Sequence, residues 1–337
     1  MNSRPTMADV AAAAGVSTMS VSYTYNQPTR VSQATRDRVH AAAAELGYTG
    51  PHRAAQSLRS GKTNNLGVVL TEKLTYSFEN AQARAFLSGI AEACLDTNTG
   101  LVLLPNSRIG ADLDRIRDAQ VDGFVLWTTV IDDPMLDVAV GTGKPVCIQG
   151  GPSYPGTQLV GIDDAEAAEA IGTVGIRGSK HPAVLSFSRD RDRIVQIAHG
   201  PDPHHATFPV TAARLAGYRR AVVDGGLDWA DVPVAFVAAN TRAEGRVAAA
   251  GLIQAGADAI LCTSDELALG VLDVSSKMTV TGWDDSEAAQ EADITTVAQS
   301  LYDQGRDAAR WVLGSLADIP ESPWSLKIRR STQGAQT

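Results

Sequence analysis

From Leu66 onward, short apolar runs alternate with longer amphipathic stretches, and this rhythm limits the possible fold more than any other feature of the chain. The apolar runs fall at 66–71, 100–105, 122–127, 145–148, 159–162, 182–187, 232–237, 259–263 and 278–283. Between most of them lie stretches of helical period, at 79–96, 163–177, 211–224, 241–255 and 300–316. A strand that faces water on one side alternates apolar and polar residues, whereas these runs are almost unbroken. They therefore predict strands buried on both faces, in parallel sheets with helices above and below. Nine such strands divide more naturally into two sheets than into one.

The first 65 residues follow a different rhythm. Met7, Val10, Ala11 and Ala14 recur at helical spacing behind Thr6, which is placed to cap them, and Gly15 breaks the run. A second helix starts at Val16-Ser17 and reaches about Asn26. A third follows Ser32, with Val39, Ala42, Ala43 and Leu46 on its inner face and Gly47 as its stop. Residues 49–65 form a polar, basic connector, with Pro51 at a helix start and one short helix from Arg53 to Arg59.

Bulk properties exclude several classes. With 44 % hydrophobic and 20 % charged residues, the chain has the composition of a folded globular protein. No apolar run is long enough to span a bilayer, and the N-terminus lacks the apolar stretch of a secretory signal. Cys94, Cys147 and Cys262 are far apart and read as reduced core thiols, so a cytoplasmic location is expected. The net charge of −9 is unevenly spread: residues 1–62 carry seven basic and three acidic side chains, a net of +4, leaving −13 on the rest. A basic end on an acidic body predicts that only the end meets phosphate.

The pair of helices around Gly15 has the parts of a helix-turn-helix. Val10, Ala11 and Val21 pack inside, and small polar side chains from Ser17 to Ser22 face outward, where a major groove would accept them. The run Asp9-Val10-Ala11, Ala14-Gly15-Val16-Ser17, Val21-Ser22 and Asn26, then Val31-Ser32, Thr35-Arg36 and Glu45-Leu46-Gly47-Tyr48, resembles the headpiece of the lactose-repressor/galactose-repressor family of bacterial regulators. The resemblance implies base reading by Thr18, Met19 and Tyr23, phosphate contacts near Ser17, Ser22 and Asn26, and further DNA contacts by Thr6 and Ser20. Tyr23 departs from the arginine usual at its position and cannot make a bidentate guanine contact, which predicts an altered operator preference. The connector resembles the family's hinge helix. There Leu58 would wedge into the minor groove, with Arg53 and Ala54 beside it, although Thr49-Gly50-Pro51 makes the link one residue longer than usual.

The rest of the chain resembles the periplasmic-binding-protein-like core of the same family, in which two α/β lobes close over a ligand at the carboxyl ends of their strands. The expected domains are a headpiece at 1–50, a hinge at 51–63 and a core at 64–337. Lobe 1 is expected at about 64–161 and 295–322, lobe 2 at about 162–294 and 323–337. The resemblance places Phe78, Trp127, Arg214, Asn240, Asp265, Trp283, Asp284 and Gln299 at the effector site. Asp265 also reads as a helix N-cap, and Trp127 and Trp283 as core aromatics. Three departures stand out: Gln149-Gly150-Gly151 replaces a strand-end aspartate, the stretch from Leu272 to Thr279 is short, and residues 199–209 form an unusual loop containing His204-His205.

No nucleophile, acid/base or phosphate-loop motif is present, so no enzyme, cofactor or metal is expected. The chain reads as a DNA-binding transcription regulator of the bacterial nucleoid, a repressor in the usual case. Its expected partners are double-stranded operator DNA, a small polar effector such as a sugar or nucleoside, and a second copy of itself. A regulator of the same architecture governed by a protein partner, its cleft vestigial, is the alternative; a stand-alone solute-binding protein is a more distant one.

Overall fold

A computed structural model of the protein describes residues 5–50, 61–70, 74–105 and 111–333. The chain divides into two compact units, residues 1–63 and 64–337.

The first unit is a three-helix headpiece: α1 (Met7–Ala14), α2 (Thr18–Asn26) and α3 (Gln33–Leu46). Each start is fixed by a side-chain cap. Thr6 and Asp9 form a reciprocal capping box, Ser17 accepts from the Ser20 amide at 3.1 Å, and Ser32 accepts from Thr35 at 3.3 Å. Gly15 and Gly47 end α1 and α3 in the left-handed conformation, at φ +62° and +69°, where a side chain would be strained. Val10, Ala11, Ala14, Val21, Val39, Ala42, Ala43 and Tyr48 form the core. Leu46, expected on the inner face of α3, is 39 % exposed. Tyr48, two residues past the helix end, fills the core instead and meets Tyr25 edge-on.

The second unit contains two sheets. The first holds β1 (Asn65–Val69), β2 (Gly100–Leu104), β3 (Phe124–Trp127), β4 (Val146–Gln149) and β5 (Gln158–Val160), all parallel, in the order β2-β1-β3-β4-β5. The second holds β6 (Pro182–Ser186), β7 (Gln196–His199), β8 (Pro233–Phe236), β9 (Ala259–Cys262), β10 (Thr279–Trp283), β11 (Thr295–Gln299) and β12 (Trp324–Lys327), in the order β12-β11-β10-β9-β6-β8-β7. Only its two edge strands, β7 and β12, run antiparallel to their neighbours. Helices α4 (Leu74–Glu79), α5 (Ala81–Asp96), α6 (Ala111–Arg117) and α7 (Pro134–Gly141) belong to the first lobe. Helices α8 (Asp164–Gly175), α9 (Pro209–Asp224), α10 (Arg242–Gln254), α11 (Asp265–Val274) and α12 (Glu287–Glu291) belong to the second, and α13 (Leu301–Val312) returns to the first.

Burial on both faces explains the unbroken apolar strands. In β1, Leu66 and Val68 enter one core cluster and Val69 enters the other. In β6, Val184 faces one cluster while Ala183 and Leu185 face its opposite. Helices α5 and α13 touch backbone to backbone: a Cβ on Gly89 would lie 1.9 Å from the Tyr302 carbonyl oxygen, and one on Gly305 would lie 2.2 Å from that of Phe86.

Two expectations are corrected here. The strand count rises, because β7, β11 and β12 were not read as strands; β7 and β12 are four-residue edge strands that alternate half-buried and exposed residues. The return to the first lobe falls at Ser300 and not at residue 295. Thr295, Thr296 and Val297 pair in parallel with Thr281, Gly282 and Trp283, so that run completes the second sheet before the chain crosses. The chain crosses between lobes three times: after β5, after β11 and after α13.

Candidate functional site

On the headpiece, α2 carries the residues expected to read bases. Thr18 and Asn26 are exposed, and so is Met19, at 59 %. Ser20, Ser22 and Tyr23 are half-buried. The hydroxyls of Thr6 and Ser17 serve as helix caps, and Asn26 donates to the Ser22 hydroxyl at 3.3 Å. Arg30, which sequence reasoning did not select, lies over the Tyr23 ring at 5.4 Å and donates to its hydroxyl at 3.4 Å. A cation thus stands beside the tyrosine that replaces the expected arginine. Arg53, Ala54 and Leu58 lie outside the described residues.

In the core, a cleft partly open to solvent lies between the lobes. It is lined from both sheets at the carboxyl ends of their strands, as open α/β folds require. Trp127 at the end of β3 and Phe187, just past the end of β6, supply aromatic faces, with Phe208 at the start of α9. Trp127 also packs edge-on against Phe86 at 4.9 Å, so it belongs to the core and to the cleft wall at once.

The central cation is Arg214. Only 6 % exposed, it donates through Nε to Asp164 at 2.8 Å and through Nη1 to the Thr263 carbonyl at 2.5 Å. The guanidinium lies 3.9 Å from the Trp283 ring centroid and 5.6 Å from that of Phe187. These contacts fix a planar donor in one orientation without using all of its N–H groups. Asp284 follows β10 at φ +102°, a backbone angle costly for any side chain, and accepts from Gln299 at 2.7 Å. Burial pushes the Asp284 carboxyl above the usual carboxylate range, against the opposing pull of Arg214 and the Gln299 hydrogen bond. Burial likewise raises Asp164, again opposed by Arg214.

Five of the eight expected effector residues line this cleft: Trp127, Arg214, Asn240, Asp284 and Gln299. Three do not. Phe78 is 59 % exposed at the end of α4, and Asn80, two residues on, lines the cleft in its place while capping α5. Trp283 is fully buried beneath Arg214, because neighbours on a strand point to opposite faces and Asp284 takes the cleft side. Asp265 is 3 % exposed, and its carboxylate accepts from the Ser286 amide at 2.7 Å and from the Thr296 hydroxyl at 2.8 Å. It braces α11 against β10 and β11, and Ser264 is the N-cap. Burial, reinforced by Asp284, pushes the Asp265 carboxyl up to about 7. Sequence reasoning missed Asn80, Gln149, Phe187, Ser188, Arg193, Phe208 and Val210.

Contacts at the cleft margin join the lobes directly. Arg191 pairs with Asp133 at 2.9 Å, and the Ile131 amide donates to the Thr207 carbonyl at 3.2 Å. Gly150 and Gly151 abut Val210 and Pro209; a Cβ on Gly150 would lie 2.9 Å from Val210. The departures at Gln149-Gly150-Gly151 and in the long loop before α9 therefore meet each other across the cleft. His204 and His205 form one turn of 3-10 helix, and no group of potential metal ligands occurs among the described residues. The three cysteines are buried, and burial raises Cys94 to about 11 and Cys147 to about 12, which leaves them protonated and inert.

Residues 6–50 match the profile of bacterial regulatory proteins of the lacI family. An HTH-type transcriptional regulator of Mycobacterium tuberculosis is 35 % identical over 325 residues, covering 92 % of this chain and 90 % of that one. The chain belongs to the lacI family. Like its relatives it is a transcriptional regulator with a DNA-binding helix-turn-helix. Among solved structures, a LacI-family regulator from Corynebacterium glutamicum is similar at a TM-score of 0.73 with 26 % identity, covering 98 % of this chain and all of that one. The regulator CelR in complex with cellobiose is similar at 0.65 with 26 % identity, covering 97 % of this chain and 100 % of that one. No helix among the described residues is long and apolar enough to cross a membrane.

Proposed function

We propose that this LacI-family regulator is a homodimeric repressor that binds operator DNA through α2 and releases or tightens it when a neutral polyhydroxylated effector enters the interlobe cleft. Residues 1–50 act as the headpiece, 51–63 as the hinge with Leu58 as minor-groove wedge, and 64–337 as the effector-binding and dimerisation core. The observation that carries the effector reading is the pairing of a fixed donor, Arg214, with an acidic acceptor, Asp284, beside the aromatic wall of Trp127 and Phe187. That set suits vicinal hydroxyls over a flat ring face, the chemistry of the cellobiose that CelR holds. On DNA, two headpieces occupy successive major grooves, Thr18, Met19 and Tyr23 meet base edges, and the dimer denies the promoter to polymerase. Effector and DNA are coupled because lobe closure changes with ligand, and the coupling free energy appears in both affinities.

A panel of sugars and nucleosides, with cellobiose as the first probe, tests this by thermal shift and by retention on duplex DNA. Arg214→Ala removes charge-assisted hydrogen bonds of roughly 1.5–3 kcal/mol, so effector affinity falls on the order of tenfold to a hundredfold while effector-free DNA binding persists. Deleting residues 1–62 abolishes DNA binding and leaves the core folded. If no panel member binds, control by a protein partner becomes the better reading; if the truncated core still binds DNA, the headpiece assignment fails.

A further inference from the structure

The cleft floor contains an ordered chain of amides that joins the two lobes. Gln149, at the end of β4 in the first lobe, donates through Nε2 to Oε1 of Gln304 at 3.1 Å. Gln304, on α13 and 1 % exposed, donates through Nε2 to Oε1 of Gln299 at 2.9 Å. Gln299, at the end of β11 in the second lobe, donates through Nε2 to the Asp284 carboxylate at 2.7 Å. Three donors thus point the same way and terminate on an acid.

The direction is not arbitrary. The Asp284 carboxyl oxygen accepts from Gln299 Nε2, so Gln299 turns its NH2 toward Asp284 and its oxygen toward Gln304. Gln304 must then show Gln299 its NH2 and Gln149 its oxygen, and Gln149 must present its NH2 in turn. One anchored end sets the orientation of all three amides, and each hydrogen bond polarises the next. Flipping Gln299 or Gln304 would set acceptor against acceptor on one side and donor against donor on the other, and flipping Gln149 would set its oxygen against that of Gln304. The last oxygen in the chain, Oε1 of Gln149, receives no hydrogen bond from the described residues, and Gln149 lines the cleft.

We infer that Gln149, Gln304 and Gln299 form a polarised amide relay, anchored on Asp284, that spans the lobes and leaves the Gln149 carbonyl oxygen as an acceptor for the ligand. This rests on the reading of the cleft as the effector site and deepens it. At the lobe-1 end the ligand must supply a donor, such as a hydroxyl; a carboxylate or phosphate there would face an acceptor that cannot turn away. Gln304 is buried outside the cleft lining, so it is a positioning residue that acts through Gln149. The relay also bridges the crossing after β11, so lobe opening stretches or breaks it. The amide orientation at the ligand is thereby tied to closure.

The test uses the full chain with cellobiose and its acid counterpart, cellobionate, as probes. Wild type is expected to prefer cellobiose by at least about tenfold, the scale of one satisfied against one opposed hydrogen bond. Gln304→Leu frees the Gln149 amide to rotate, so the preference falls toward unity while cellobiose affinity drops by less than about fivefold. In spectra of the glutamine side-chain amides, the NH2 protons of Gln149, whose acceptor is Gln304, are slow to exchange in wild type and fast in the variant, while those of Gln299, held by Asp284, stay slow. Gln304→Met, closer in shape and flexibility, serves if the leucine variant does not fold. An unchanged preference together with unchanged amide exchange overturns the relay. If neither sugar binds wild type, the effector reading fails by itself, and the amide exchange alone decides whether the relay exists.

Discussion

In the headpiece, the side chains that form the core come from one stretch between Val10 and Tyr48, and each helix start is set by a cap within three residues of it. In the core, the cleft joins Gln149 to Gln304 across 155 positions, and Arg214 is held by Asp164 fifty positions earlier and Thr263 forty-nine later. In the headpiece the residues expected to read DNA lie along α2, exposed or half-buried, and their contacts come from residues close by in the sequence. In the core the polar residues lining the cleft are buried or half-buried, and their direction is fixed through other buried polar groups. The contrast teaches that substitutions at the first site should act locally and add, whereas those at the second should couple stability, closure and ligand affinity.

Gly150→Val strikes this contrast hardest. The new side chain occupies a left-handed position at φ +70° and meets Val210 of the other lobe at its first carbon. The lobes must separate, so effector affinity falls by more than about tenfold and the radius of gyration of the bound core rises. Wild-type affinity in this variant would mean that closure does not bring these residues together. Next comes pH. Asp265 is raised from 3.8 to about 7, so between these values the folded chain holds a proton that the unfolded chain releases. Stability should therefore fall as pH rises from about 4 to 7, by at most about 1.4 kcal/mol per pH unit, and level off above. Urea titrations of Asp265→Asn should show a flatter profile across that window, and an unaltered slope would assign the dependence to other groups.

The headpiece prediction is smaller. Ser17→Ala removes the cap of α2 and costs about 1 kcal/mol, read as faster amide exchange in residues 5–50 with no change in core melting. A shift in core melting would show that the two units do not behave independently. Smallest of all is Arg191→Ala. Its side chain is 46 % exposed, so loss of the pair with Asp133 should cost less than about 1 kcal/mol and show only as a slight opening of the ligand-free cleft by scattering.

Much of the fold was legible in the sequence because the relevant physics is periodic. Strands buried on both faces are unbroken apolar runs, and capped helices announce themselves by Ser, Thr and Gly at fixed offsets. The edge strands β7 and β12 escaped because four alternating residues carry too little period to read. In the cleft, Trp127, Arg214, Asn240, Asp284 and Gln299 were legible through their family-matched or strand-end positions. Phe78, Trp283 and Asp265 lie off the cleft for local reasons: Phe78 is exposed near the end of α4, Trp283 is buried beneath Arg214, and the Asp265 carboxylate is taken by Ser286 and Thr296.

The amino-acid sequence alone determined the three-helix headpiece, the parallel α/β architecture and the family, since all of these depend on short-range pattern. Only the tertiary structure decided where the chain returns to the first lobe, which face of each strand end looks into the cleft, and that three glutamines from β4, β11 and α13 align on one aspartate. Those outcomes depend on which distant backbone segments become neighbours, and a hydrogen bond spanning 155 residues leaves no periodic trace in the chain that makes it.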